Sequence, residues 1–223
     1  MYLAEIWRYP VKSMRGERLT EAEVGPLGIS GDRVVHVENS RGRVVTARTH
    51  PRLLAHHAVA DPEGTPIVDG LRWTDARVAA LIHADVGPGA RLVRDESVDR
   101  FDVLPLLIAT DGAIAAFGRD GRRLRPNLVI GGVVGLDERT WPGRCLRIRE
   151  VLIAIVDLRS RCVMTTFDPD SLQQDPHVLR DIVHRFGGKL ALNASVARSG
   201  HLREGDPVEL LSASDCDVAS LVG

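Results

Sequence analysis

Leu152-Ile153-Ala154-Ile155-Val156 runs on to Ser160-Arg161-Cys162-Val163-Met164-Thr165-Thr166-Phe167-Asp168-Pro169. A short, β-branched apolar stretch that breaks into a polar segment predicts a buried strand delivering side chains to an edge of the core. The rest of the chain follows the same pattern. Arg33–Val37, Arg43–Ala47, Arg91–Arg94, Leu128–Ile130, Leu146–Val156 and Pro207–Leu211 predict further strands, with turns at Asn39–Gly42, Asp61–Gly64 and Glu204–Asp206. Three helices interrupt them. Asp75–Ala84 places Val78, Leu81 and Ile82 on one face, with Thr74 as the cap. Thr110 caps a short helix through Phe117. Asp175 caps a helix through Phe186, with Pro176 at its first position, Gly187 after its end and a stripe of Leu179, Ile182, Val183 and Phe186. The expected fold is therefore mainly β with a few helices (α+β), arranged as a distorted barrel. The residues after Leu211 are polar and predict a frayed tail.

Composition narrows the function classes. At 223 residues, 44% hydrophobic and 26% charged, the chain can bury a core without disulfides or structural metal. A net charge of −1, with both signs mixed along the chain, gives no basic face for nucleic acid or a membrane surface. The longest apolar runs, Val103–Ala109 and Val151–Val156, are too short to span a bilayer, and residues 1–8 lack the order of a signal peptide. Cys145, Cys162 and Cys216 are odd in number and far apart, which predicts no disulfide framework, no CxxC metal site and a reduced, cytoplasmic protein. Gly28-Ile29-Ser30-Gly31 lacks the spacing of a nucleotide loop, and the eight histidines, His56-His57 and His184 among them, show no ligand spacing.

Four polar segments carry side chains suited to an anionic ligand and a soft metal. Tyr9-Pro10-Val11-Lys12-Ser13 offers an ammonium and a hydroxyl after a strand, where a solvated lysine is the plainer reading. Gly31-Asp32-Arg33 and Thr46-Ala47-Arg48 place arginines beside apolar neighbours, although a structural Asp32–Arg33 contact explains the first equally well. Arg125-Pro126-Asn127, after Arg122-Arg123-Leu124, combines a guanidinium fork with an amide able to read a heterocycle edge; a basic surface turn is the commoner case. In Ser160-Arg161-Cys162 the adjoining guanidinium favours the thiolate, the form that binds soft metals. Cys145 and Cys216 read as small buried hydrophobes.

Taken in order, these segments resemble the MOSC superfamily, in the branch with an added N-terminal β-barrel region that includes the mitochondrial amidoxime-reducing component. The matching stretches are Tyr9–Ser13, Gly31–Arg33, Thr46–Arg48, Pro51–Leu53, Arg125–Asn127, Ser160–Cys162, Asp168-Pro169, Asn193–Val196 and Gly200–Asp206. The resemblance implies an N-terminal MOSC-type barrel region over 1–85, a MOSC domain over 86–213 and a flexible tail over 214–223. It implies a molybdenum cofactor (molybdenum held by molybdopterin) with Cys162 as the metal's protein ligand. Lys12, Ser13, Arg33, Arg125, Asn127, Ser160 and Arg161 match positions around the pterin and its phosphate, with Arg48 and Asn193 as weaker matches. Asp168 is a candidate proton relay, or simply a turn former before Pro169. One stretch departs from the family's pattern: Asp102-Val103-Leu104-Pro105 has Val103 and Leu104 where hydroxyl residues are usual.

The residues and the resemblance leave three functions open. The first is a reductase of N-hydroxylated or N-oxide compounds, a small-molecule substrate class. It would draw electrons from a separate ferredoxin- or flavin-type donor protein, because the chain has no Cx4CxxC cluster of its own. The second is a sulfur carrier relaying a persulfide on Cys162. The third is a scaffold that keeps the fold without the metal.

Overall fold

The computed structural model describes residues 1–216. Val151–Ser160 and Lys189–Arg198, ten residues each, pair antiparallel and form the spine of an eight-stranded sheet. Its order is Val208–Leu211, Cys145–Ile148, Val151–Ser160, Lys189–Arg198, Leu106–Thr110, Leu128–Gly131, Tyr2–Arg8 and Glu17–Leu19. The single stretch predicted over Leu146–Val156 is thus a hairpin. Its turn uses Arg149 at φ 54° instead of the glycine or asparagine that would have marked it. Three register shifts along Val151–Ser160 add local twist and bend, and they curl the sheet. The named strands do not close a barrel. The two flanks are stitched instead by a Tyr2–Pro207 bridge, with Leu3 N–H donating to Asp206 O at 2.9 Å and Val208 N–H donating to Met1 O at 3.0 Å.

The helices are α1 (Ala76–Val86), α2 (Asp111–Phe117) and α3 (Pro176–Phe186). Thr110 caps α2 by accepting from Ala113 N–H, and Asp175 caps α3, which ends in Gly187 at φ 64°. Asp75, not Thr74, caps α1, because its carboxylate reaches the Arg77 N–H. The buried faces also differ from the predicted stripes. Val178 replaces Val183 on α3, and Leu81 on α1 faces outward. Helix α2 crosses from Leu106–Thr110 to Leu128–Gly131, the parallel pair of this sheet.

Two apolar clusters set the position of the thiol. One fills the curl of the large sheet with Leu3, Ile6, Ile108, Ile130, Leu146 and Ile153. The other lies among two small three-stranded sheets and α1, built from Val11, Met14, Val35, Leu53, Val78 and Ile82. Val163, Met164 and Phe167 pack into the second cluster, so the segment after Cys162 bridges from the first core to the second. Cys162 sits at that seam.

The expectation of unpaired cysteines is overturned for Cys145 and Cys216, which form a disulfide with Cα atoms 5.8 Å apart. The sequence hides this because the pairing depends on register. Cys145 lies opposite Leu211 across a two-strand ladder, and the one-turn helix Ala213–Asp215 folds Cys216 back over it. Cys216 is buried, so the tail is not frayed through 216; the remainder of the predicted tail, 217–223, lies outside the described residues. The bridge closes a loop of 71 residues. Cys216→Ser is expected to cost about 2–4 kcal/mol. The check is denaturant unfolding with and without reductant: the reductant should lower the wild-type midpoint and leave the variant unchanged. No helix among the described residues is long and apolar enough to cross a membrane.

Candidate functional site

Strand Tyr2–Arg8 ends at the seam and delivers Tyr9 through Ser13. Ser13 takes a left-handed turn at φ 72°, and its Oγ accepts the Ala47 N–H at 3.0 Å, fixing the turn that carries Arg48. Arg33 and Arg125 are also left-handed, both at φ 55°. Three of the seven described non-glycine residues with positive φ therefore belong to the four polar segments. Such backbone costs of order 1–3 kcal/mol and persists where surrounding structure enforces it, as at binding sites. Here the enforcing group is Asp32, fully buried. Its carboxylate accepts the Tyr9 N–H at 2.8 Å and the Asn127 amide at 3.1 Å, and it pairs with Arg33. Both readings of Gly31-Asp32-Arg33 hold: the ion pair forms, and Arg33 still lines the cleft.

The cleft gathers Lys12, Ser13, Arg33, Arg48, Arg125, Ser160, Arg161 and Cys162, the free cysteine among the described residues. Arg48 lines the cleft with Cys162 and reaches Asp102 Oδ2 at 2.6 Å. Lys12 meets Asp102 Oδ1 at 3.0 Å, and Arg159 approaches Oδ2 at 3.7 Å. Burial works against ionisation of Asp102, but the Lys12 ammonium, helped by Arg48 and Arg159, holds it below the usual carboxylate range. It is ionised at neutral pH. Arg161 gives one N–H to Leu124 O at 2.7 Å, while its Nε and Nη1 are buried without a partner. Burial pushes this guanidinium down to about 10, which leaves it cationic at neutral pH. Buried, unsatisfied charged donors are costly, so the arrangement points to an acceptor that completes them.

Three predicted residues lie elsewhere. Asn127 is buried in the wall. Its amide donates to Asp32 and to Trp7 O, and its oxygen accepts from Leu107 N–H and Arg33, so nothing remains to read a heterocycle. Asn193 stands behind Arg159, accepting from it at 3.3 Å and donating to Asp157 at 2.6 Å. Asp168 pairs with Arg123 at 2.8 Å and lines a neighbouring cavity. The Ser171 N–H holds its carboxyl below the usual range, so it keeps no proton to relay at neutral pH and forms the turn before Pro169. Sequence reasoning passed over Arg159, and named Arg123 and Asp102 only as members of their segments, without a role in the site. Arg159 had a signal, since it lies two residues before Arg161 and strand periodicity puts them on one face.

Tyr9 organises the back of the cleft. Its ring lies under the Arg125 guanidinium at 4.3 Å and the Arg33 guanidinium at 5.1 Å, and its hydroxyl donates to Pro126 O at 3.1 Å. Burial pushes the phenol up to about 12, with Arg125 pulling the other way. The unfolded phenol ionises near 10, so the folded state favours the protonated form. The stability it contributes is complete below pH 10 and lost as pH rises toward 12. Tyr9→Phe is expected to cost about 1 kcal/mol at neutral pH and to flatten that alkaline decline, as read from unfolding midpoints across the range.

A curled α+β sheet with a cation-rich thiol cleft at its seam defines a class of protein, and the chain belongs to it: it is a MOSC family protein. Residues 1–76 match the family described as MOSC N-terminal beta barrel domain, and residues 113–209 match the MOSC domain. Mitochondrial amidoxime-reducing component 1 of Mus musculus is 25% identical, over 94% of this chain and 82% of its own length. Mitochondrial amidoxime reducing component 2 of Homo sapiens is 27% identical, over 92% and 82%. Among solved structures, the YUAD protein from Bacillus subtilis shares the fold with a TM-score of 0.53 at 13% identity, over 95% of both chains.

Proposed function

We propose that this protein is a molybdenum-cofactor-dependent reductase of N-hydroxylated or N-oxide compounds, with Cys162 as the metal's protein ligand. The observation that carries it is a free thiol beside Arg161, whose buried Nε and Nη1 have no partner in the protein. The donor set fits the group. A phosphorylated pterin dithiolene is anionic and rich in acceptors; Lys12, Arg33, Arg125 and Arg161 supply cations, and Ser13 and Ser160 supply hydroxyls. The cleft encloses about 110 Å³, so accommodating that group requires the long Lys12, Arg48, Arg159 and Met164 side chains along it to shift. The cofactor would supply two-electron chemistry at the metal.

The chain's own residues do the rest. Arg48 and Arg161 stabilise negative charge at and beside the Cys162 sulfur. Asp102 gathers Lys12, Arg48 and Arg159 around one carboxylate and offsets their mutual repulsion. Reduction of an N-hydroxyl group breaks the N–O bond, consumes two electrons and two protons, and releases water. Asp102, ionised, donates no proton, so the protons come from solvent through the open mouth. The electrons come from a separate donor protein of the ferredoxin or flavin type.

The test is turnover of an aromatic hydroxylamine or amidoxime with an artificial low-potential donor, on protein from a host that makes the cofactor. Formation of the amine or amidine supports the reading; no turnover by molybdenum-loaded protein overturns it. The exposed edge of Cys162 also favours a second reading, sulfur relay, in which a desulfurase leaves a persulfide on Cys162 that mass spectrometry detects. For location the proposal is the cytoplasm. Pairing of Cys145 with Cys216 removes one support for it, since structural disulfides are rare in reducing compartments, and the redox state of that pair in rapidly quenched cells is the check.

A further inference from the structure

Against the Cys162 cleft lies a larger cavity of about 590 Å³, in the range that takes a one- or two-ring organic molecule. The two share a wall of Arg123, Arg125 and Met164. Trp7, Tyr9, Leu54, Met164 and Phe167 give the larger cavity flat apolar sides. Its charge is not balanced. Arg123 is answered by Asp168, Arg122 by Asp120 and Asp170, and Arg18 by Glu204. The acids Glu17 and Asp168 are likewise spoken for, Glu17 by Arg8 and the Ala60 N–H. Arg15 and Arg125 have no carboxylate within 4.0 Å among the described residues. Arg125 donates to Met14 O at 2.8 Å and Arg15 to Ala55 O at 2.5 Å, so one short segment brings both to the same region of the cavity. The Arg15 Nε is buried with no partner at all.

We infer that this cavity binds a planar aromatic carboxylate, its ring against Trp7 and Phe167 and its anion on Arg15. Resting on the proposed reductase reading, this names the substrate class: N-hydroxylated aromatic compounds that carry a carboxylate. The N–O bond is reduced on the Cys162 side of the shared wall, with the electrons of the donor protein and two protons from water, and water leaves. The carboxylate is not consumed; it sets position.

The test is equilibrium binding of 2-naphthoate, followed by tryptophan fluorescence and calorimetry, with 2-naphthamide as the neutral match and inorganic phosphate as the bare anion. Expected are naphthoate binding at least about tenfold tighter than either, and a further loss of about tenfold in Arg15→Gln, since a hydrogen bond to a charged group commonly accounts for that much. Arg15→Lys, which keeps the charge and loses the fork, should fall between. Cys162→Ala should bind naphthoate as wild type does. In the loaded enzyme, Arg15→Gln should raise KM for a carboxylated hydroxylamine about tenfold at unchanged kcat and leave a neutral one alone. Equal binding of naphthoate and naphthamide, no effect of both Arg15 variants, or loss of binding when cofactor is loaded overturns the inference. Naphthoate binding by a protein that reduces nothing would remove the reductase reading while keeping the site; turnover of neutral substrates without naphthoate binding would do the reverse.

Discussion

Cys162→Ala protein, prepared in a cofactor-making host, is expected to contain about a tenth or less of the wild-type molybdenum, and to have no reductase activity. The cations of the cleft can hold a phosphate and a pterin by charge and hydrogen bonding, but only a thiolate offers a soft donor to the metal. Cys145 and Cys216 cannot substitute, being bonded to each other. Compared as cofactor-free proteins, wild type and variant should have thermal midpoints within a few degrees of each other, because the Cys162 sulfur borders the cleft and fills no core position. The outcome that sinks the assignment is near-stoichiometric molybdenum in the variant. Cys162→Ser should resemble the alanine variant, since a neutral hydroxyl is a much poorer ligand than a thiolate.

The second large effect falls on stability. Asp32→Ala removes the carboxylate that holds the Tyr9 N–H, the Asn127 amide and the Arg33 guanidinium together at a fully buried point. Removing one partner of a buried ion pair commonly costs about 3–5 kcal/mol, because the other charge is left uncompensated. For a chain of this size that corresponds to a fall of about 10 °C in Tm. Asp32→Asn should lose less, as it keeps the volume and one acceptor. Chemical denaturation decides: an unchanged slope with a lower midpoint fits the argument, and a loss under about 1 kcal/mol contradicts it.

Much of this architecture is legible in residue order. Asp175-Pro176 and Gly187 bracket α3, and Thr110 caps α2, because caps are local chemistry. The segments around Lys12, Arg33, Arg48, Arg125 and Cys162 can be grouped, since each pairs a charged residue with a strand end. Direction is harder. Asn127 has the residue type of a ligand-reading amide, yet its strand turns it into the wall, where Asp32 and Leu107 use it up. Asp102 stands out in the sequence only as a neighbour of Val103 and Leu104; its role depends on three cations from distant parts of the chain. The disulfide is hidden for the same reason. It depends on which residues of two strands face each other, and spacing along the chain carries no such information.

The stitch between the first and last strands has a consequence for assembly. Residues 1–3 bond to residues 206–208, and the cleft takes walls from positions near 12, 48, 102, 125 and 160. Contacts so distant in sequence form late, and every one requires a long loop to close first. A nascent chain still lacking its last strand lacks the bonds between residues 1–3 and 206–208 that tie down the start of the strand leading to Lys12 and Ser13. On the proposed reading, cofactor would enter the finished molecule, and a chain truncated before residue 200 should emerge empty however much cofactor surrounds it.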